Sequence, residues 1–117
     1  MELRTQFFKV AHQNAKLSVL AHVDLKHLRF KKAADGRHQN TLSIVSAVFD
    51  RNGILVSATK REIELHFKDE TFEMRISDGV SLRTSFDVTP GSYIVRLVVR
   101  DSEGQTMASR NGVVEIP

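Results

Sequence analysis

Residues 89–101, TPGSYIVRLVVRD, carry the clearest structural signal in the chain. Pro90 fixes φ for a turn, and Gly91 supplies the positive φ that a type II turn needs at its next position. From Ser92 onward the side chains alternate. One face is wholly apolar, with Tyr93, Val95, Leu97 and Val99, and the other mixes Ile94 and Val98 with Arg96 and Arg100. A period of two is typical of a β-strand. The stretch therefore predicts a tight turn and a long strand that lies on a core.

Tyr93 occupies a characteristic position, at the start of this strand and directly after the Pro90-Gly91 turn. A tyrosine there is typical of the tyrosine corner of immunoglobulin-like sandwiches, in which the hydroxyl bonds back to nearby backbone. We therefore predict that Pro90, Gly91 and Tyr93 form a structural corner.

The same alternation recurs along the chain at spacings of roughly ten residues. It predicts a lead-in strand within 2–14, strands at 16–25, 41–49, 54–67 and 80–88, and a last strand at 105–116. We expect Leu28 and Phe30 to continue the second strand after a bend. We also expect a break in the fourth strand near 57–60 and a bulge in the last strand at Asn111-Gly112. The polar segment 31–40 is predicted to be a hairpin loop, and 50–53 and 101–104 to be turns.

Residues 69–78 fit two structures. Phe72, Met74 and Ile76 fit a strand, but acidic residues at the start and Gly79 after the end favour a short helix. We predict the helix, linking two strands across the sandwich. The whole pattern predicts an all-β fold: an antiparallel immunoglobulin-like or fibronectin-like β-sandwich of six or seven strands with one short helix near 69–78. The 117 residues fit a single domain, 1–117.

Composition narrows the functional classes. Seventeen basic against fourteen acidic residues give a net charge of +3, and the basic residues are scattered rather than concentrated in a stripe. Nucleic-acid binding is therefore not expected. No apolar run approaches the length of a membrane span, and the absence of cysteine excludes disulfides and thiolate metal sites. Neither the partner, the oligomeric state, the compartment nor the native status of Met1 follows from composition.

Catalytic and metal-binding patterns have no specific support in the sequence. The five histidines share no ligand spacing, and the turns at 50–53 and 101–104 lack the repeated acidic residues of a calcium loop. No G-x-S-x-G elbow, paired carboxylates or phosphate-cradling glycine loop is evident. We therefore expect no enzyme, no metal and no cofactor, with a hydrolase as the weakest hypothesis.

One basic cluster remains as a candidate site, formed by Lys31, Lys32, Arg37 and His38 at the predicted hairpin tip. Charge at a loop tip is typical of an ordinary solvated surface. The functional alternative is contact with an acidic partner or an anionic envelope surface. The first hypothesis is therefore a structural or protein-interaction module, whose partner is a protein or a neighbouring domain of its parent chain. The second is a ligand-binding sandwich that recognises a glycan or an anionic polymer through the 31–38 loop.

A family resemblance covers nearly the whole chain, on the segments ELRTQFFKVA, VDLKHLRF, VFDRNG, VTPGSYIVRLVVRD and NGVVEIP. Together they resemble the β-rich C-terminal region of bacterial von Willebrand factor A-related proteins, with its Pro-Gly-x-Tyr-x-x-Arg strand and Val-Glu-x-Pro ending. The Asp-x-Ser-x-Ser metal motif of the type A domain does not occur here. The resemblance implies a non-catalytic accessory module of an exported protein.

Overall fold

The computed structural model describes residues 1–104 and 107–117 and shows two antiparallel sheets with one short helix. In chain order the elements are β1 (Glu2–Ala11), β2 (Asn14–Val23), β3 (Lys31–Lys32), β4 (His38–Asp50), β5 (Leu55–Phe67), α1 (Asp69–Asp78), β6 (Val80–Val88), β7 (Gly91–Asp101) and β8 (Met107–Ile116). The predicted all-β sandwich is confirmed. Within the described ranges seven strands are long, and the two-residue β3 is an addition that the sequence did not predict.

The strands divide into a small sheet and a large sheet. The small sheet has the order β1-β2-β6. In the large sheet β4 is central. It pairs with β5 along one edge and with β7 and the short β3 along the other edge, and β7 pairs in turn with β8. The central position predicted for the strand at 41–49 is therefore confirmed.

The core lies between the two sheets and follows the predicted alternation. On β7, Tyr93, Val95, Leu97 and Val99 are each at most 6% exposed, whereas Arg96 and Arg100 point to solvent. Facing residues from the small sheet, such as Leu17 and Phe86, complete the interior. Burial of each large apolar side chain contributes about 1.5–3 kcal/mol, so this alternation is the main reason why the two sheets associate.

The corner at the start of β7 contains a hydrogen bond from the Tyr93 hydroxyl to the backbone carbonyl of Thr89. Its backbone differs from the type II turn expected there. Gly91 has φ 156°, far from the value of about 80° that such a turn requires. The reason is that Gly91 already pairs with Ile116 in the β7–β8 ladder, which holds it close to extended geometry.

Three details of the predicted strands are wrong. Leu28 and Phe30 lie in an irregular segment after β2, although both side chains pack against the core. β5 is continuous through 57–60, and the irregularity falls at the register shift opposite Val48 and Phe49. The β7–β8 register runs without a shift through Asn111 and Gly112.

Gly112 lies against the small sheet and makes no bulge. A Cβ there would lie 3.4 Å from Leu3 Cδ2, at the close end of ordinary van der Waals contact. Leu3 of β1 therefore packs beside this position of β8.

The predicted loop at 31–40 is a tighter hairpin than expected, because β3 pairs with the first residues of β4. Gly36 makes the turn with φ 84°. Asn40, which we assigned to the loop, is fully buried within β4. Its Nδ2 donates to the Arg29 carbonyl at 2.7 Å, and its Oδ1 accepts from the Thr41 N–H at 2.7 Å.

The helix prediction is confirmed, since α1 covers Asp69–Asp78 and connects β5 of the large sheet to β6 of the small sheet. It ends at Gly79, whose φ is 73°. None of its residues is fully buried. Phe72 attaches it to the sandwich through aromatic contacts with Phe30 and Phe67, with ring centroids 5.2 and 6.5 Å apart.

Candidate interaction surfaces

The four residues of the predicted basic tip lie together on the β3–β4 hairpin, and each has an acidic partner. Lys31 Nζ lies 3.8 Å from Glu103 Oε1, Lys32 Nζ 3.3 Å from Asp69 Oδ2, Arg37 Nε 3.9 Å from Asp35 Oδ2, and His38 Nε2 2.6 Å from Asp69 Oδ1. These partners reduce the positive charge that the tip offers to a ligand. Its role as an interaction site stays a prediction.

Asp69 is the main partner of the tip, and it lies in the first turn of α1. The hydrogen bond from His38 and, next, the one from Lys32 hold the pKa of this carboxyl below its ordinary value. The imidazole of His38 also stacks on the Phe72 ring, with centroids 3.9 Å apart and planes 15° from parallel. The hairpin tip is therefore fastened to the helix rather than free to meet a partner.

A groove of about 520 Å³ lies between the end of β5 and α1, and we call it the cationic groove. Its lining consists of Arg37, Glu64, Leu65, His66, Phe67, Lys68, Thr71 and Arg75. Among residues 1–104 and 107–117, neither Lys68 nor Arg75 has a carboxylate oxygen within 4.0 Å. The groove therefore differs from the tip, because two of its cations lack acidic partners in the described chain.

A second surface is apolar and crosses the outer side of the large sheet. The cross-strand pairs Val113–Ile94, Ile94–Phe49 and Phe49–Leu55 place one residue from each of β8, β7, β4 and β5 side by side. We call these four residues the apolar row. Val113 is 76% exposed, Leu55 55% and Ile94 38%. A contiguous exposed apolar surface of this kind marks interaction sites in soluble proteins.

One histidine contacts a serine as a catalytic base would, and this pair lies on the outer side of the small sheet. His22 Nδ1 lies 2.9 Å from Ser81 Oγ. The other ring nitrogen faces Gly79, where a Cβ would lie only 2.8 Å from it. No carboxylate of the described chain hydrogen-bonds to this imidazole, so the pair lacks the third group that orients the base of a Ser-His-acid triad.

The acidic turns have local structural roles. Asp50 Oδ1 accepts the N–H groups of Asn52 and Ile54 at 2.9 and 3.0 Å, and the buried Asp101 accepts the N–H of Gly104. Asp24 accepts the Lys26 N–H at 3.0 Å, which lowers the pKa of its carboxyl. Such bonds are typical of Asx turns.

In the part of the chain that the structure describes, no three histidine, aspartate or glutamate side chains converge on a possible metal position. Over the same residues, the structure contains no helix of the length and apolarity that crossing a membrane requires.

Neither surface was predicted as a site from the sequence. For the cationic groove a signal was present, because Lys68 directly precedes the predicted helix, in which Thr71 and Arg75 are four residues apart and so share a face. For the apolar row the signal was the apolar residues on both faces of β4 and β7. The apolar residues of β4 were attributed to a central position in the sheet, and those on the outer face of β7 to a sheet surface partly open to water.

Solved structures contain the same fold as a part of longer chains. No family model and no curated protein matches this chain. Among solved structures, Bacteroides uniformis beta-glucuronidase is similar over 97% of this chain and 13% of its own, with 17% identity and a TM-score of 0.68. A beta-glucuronidase from glycoside hydrolase family 2 (11% identity, TM-score 0.61) and a family 2 member from Bacteroides cellulosilyticus (11%, TM-score 0.62) also match over 97% of this chain. The chain spans 11 to 14% of the length of these proteins.

At these identities the likeness concerns the fold alone. It confirms that the sandwich seen here exists as a part of much longer polypeptides. None of the comparisons tests the resemblance to von Willebrand factor A-related proteins, which stays a prediction.

Proposed function

We propose that this domain is a non-catalytic accessory module of a longer protein, and that it packs through the apolar row against a neighbouring domain of the same chain. The observation that carries the proposal is the exposure of Val113, Ile94 and Leu55 along one line of the large sheet. Exposed apolar area of this kind costs about 25 cal/mol per Å² in water, and burial against another domain removes that cost.

The choice of a neighbouring domain as the occupant has independent support. In the glycoside hydrolase chains with this fold, the sandwich accounts for only 11 to 14% of the polypeptide. A domain covalently linked to its partner can bind through a modest patch, because the linker supplies a high effective concentration. Interfaces between domains of one chain are also typically small.

The non-catalytic part of the proposal is supported by the geometry of the polar residues. Among the residues that the structure describes, the His22–Ser81 pair has no acidic partner, and the acids of the turns bind backbone N–H groups. On the resemblance in β7 and in the terminal strand, we also propose that the parent protein is exported and related to the von Willebrand factor A family.

A labelling experiment tests the packing directly, because the chain contains no cysteine of its own. Val113→Cys places a single thiol in the apolar row, and Arg83→Cys places a matched exposed thiol on the small sheet. Thiol labelling rates are compared between this domain alone and the full-length gene product. We expect Val113→Cys to react at least about tenfold more slowly in the full-length protein, since access controls thiol reactivity. The rate for Arg83→Cys should be the same in both.

Equal rates at both positions in the two proteins would contradict the proposal. A gene that encodes no domain besides this one would contradict it as well. Slowing at both positions would indicate general shielding by the rest of the chain and would argue against a specific interface on the large sheet.

A further inference from the structure

The cationic groove holds more positive than negative charge. Arg37, Lys68 and Arg75 supply three cations, and the acids that accompany them are Glu64 in the lining and Asp35 beside Arg37. Glu64 already lies 3.6 Å from His66, and Asp35 lies 3.9 Å from Arg37 Nε through Oδ2 while its Oδ1 accepts the Arg37 backbone N–H. The other guanidinium nitrogens of Arg37 therefore have capacity for a further acceptor.

Two elements place these cations around one concavity. The β4–β5 ladder ends with the pair His38–Phe67. Arg37 precedes β4 and Lys68 follows β5, so each lies one residue beyond that pair, on neighbouring segments of the chain. Lys68 directly precedes α1 and has extended backbone, and within the helix Thr71 and Arg75 are four residues apart and so share a face. All three residues line the groove. The groove is thus built by the sandwich and by the helix together.

The lining also has the mixed chemistry of a ligand site. The half-buried Phe67 supplies apolar surface, while Thr71 and His66 supply groups that can donate or accept hydrogen bonds. A volume of about 520 Å³ falls within the usual range for small-ligand sites. A flat basic patch for a large acidic protein would not need this concavity.

We propose that the cationic groove binds an acidic saccharide, through a carboxylate or sulfate group held by Lys68 and Arg75. Arginine pairs with such groups through two parallel hydrogen bonds, and lysine adds a point charge. His66 and Thr71 are placed to hydrogen-bond sugar hydroxyls beside the anionic group, and Phe67 offers an apolar surface to the ring. The groove lies at the Phe67 end of β5 and the apolar row at its Leu55 end, so its test is separate from that of the packing proposal.

The experiment uses the 117-residue chain and four defined probes. They are an oligogalacturonate as the carboxylated saccharide, a heparin oligosaccharide as the sulfated one, a neutral oligosaccharide of similar length, and inorganic phosphate. Binding is followed by NMR titration of the backbone amides at low ionic strength. The variant Lys68→Gln/Arg75→Gln is compared with Lys31→Gln/Lys32→Gln, which removes the same formal charge from the paired tip.

We expect at least one acidic saccharide to bind and to shift the amides of Lys68 to Arg75, with affinity about tenfold weaker in Lys68→Gln/Arg75→Gln. Lys31→Gln/Lys32→Gln should bind within about twofold of the unmodified chain. Thermal unfolding of each variant checks that the fold is retained.

Several results would overturn the inference. Equal weakening in the two variants would mean that net charge, rather than the groove, attracts the saccharide. Phosphate binding as strong as saccharide binding would identify an anion site without sugar recognition. Absence of binding by both acidic saccharides, or equal binding of the neutral one, would remove the proposed ligand class.

Discussion

The corner residue Tyr93 provides the sharpest test of how this fold is held together. Its hydroxyl donates to the Thr89 carbonyl and lies 3.3 Å from Thr89 Oγ1, while the ring is only 6% exposed. Tyr93→Phe removes the hydrogen bond and keeps the ring. Tyr93→Ala removes both. The two substitutions therefore separate the bond from the packing.

The expected magnitudes follow from this environment. Thr89 is exposed, so water can solvate its carbonyl when the phenol is absent, and the loss in Tyr93→Phe should be about 1 kcal/mol. In Tyr93→Ala the core cluster that includes Val95 and Ile116 loses a buried aromatic ring, which costs about 3–5 kcal/mol. For 117 residues, 1 kcal/mol corresponds to about 4 °C in Tm, so the two variants should melt about 4 °C and 12–20 °C lower.

The assay is urea unfolding followed by circular dichroism, with thermal melting as a second probe. Thr89→Val is the control, because it removes the hydroxyl at 3.3 Å but keeps the carbonyl that accepts the bond. It should change the free energy of unfolding by less than about 0.5 kcal/mol. If Tyr93→Phe and Tyr93→Ala are both as stable as the unmodified protein, the corner does not contribute to stability and our explanation of it is wrong.

Two further predictions concern the ends of α1. Gly79→Ala should lose about 3 kcal/mol or more, because φ is 73° and the added Cβ would lie 2.6 Å from the Val23 carbonyl oxygen. Gly53→Ala, with φ 80° and open space around it, should lose only about 1 kcal/mol, and similar urea midpoints for the two would refute the clash. At the start of α1, the pKa of the Asp69 carboxyl is lower in the folded protein than in the unfolded chain. Its ionised form therefore stabilises the fold at neutral pH, and this contribution is lost as pH falls from about 5 towards 3. The urea midpoint of Asp69→Asn should fall less over that range than that of the unmodified protein or of the charge control Glu70→Gln, and parallel curves would contradict the assignment.

The fold was largely predictable because its signals are local. Alternation in a strand is visible within a few residues, and β6 and α1 have the boundaries that the sequence indicated. The turn at Asp50 to Gly53 was equally visible, since Asn and Gly tolerate positive φ and Asp accepts backbone N–H groups. Local chemistry was sufficient wherever an element's conformation depends on its own residues.

The errors arose where a distant segment decides the outcome. Gly112 was predicted to mark a bulge because glycine in a strand often does. In the structure the ladder is regular there, and Gly112 faces Leu3, more than 100 residues earlier in the chain. Asn40 was assigned to a loop because it is polar, yet it is buried by bonding to Arg29 and Thr41. No single-sequence pattern contains these long-range contacts.

The candidate sites show the same division between local and long-range information. From sequence alone, Lys31, Lys32, Arg37 and His38 were the densest basic cluster, because charge was counted along the chain. In the folded protein Asp69, which is 31 residues beyond His38, pairs with two of the four. Lys68 and Arg75 are sparse in the sequence, but both line the groove without a carboxylate in reach in the described residues. The charge that is available to a ligand therefore depends on which cations the fold leaves uncompensated, and this is why the groove, rather than the tip, is the place where recognition of an anion should be tested first.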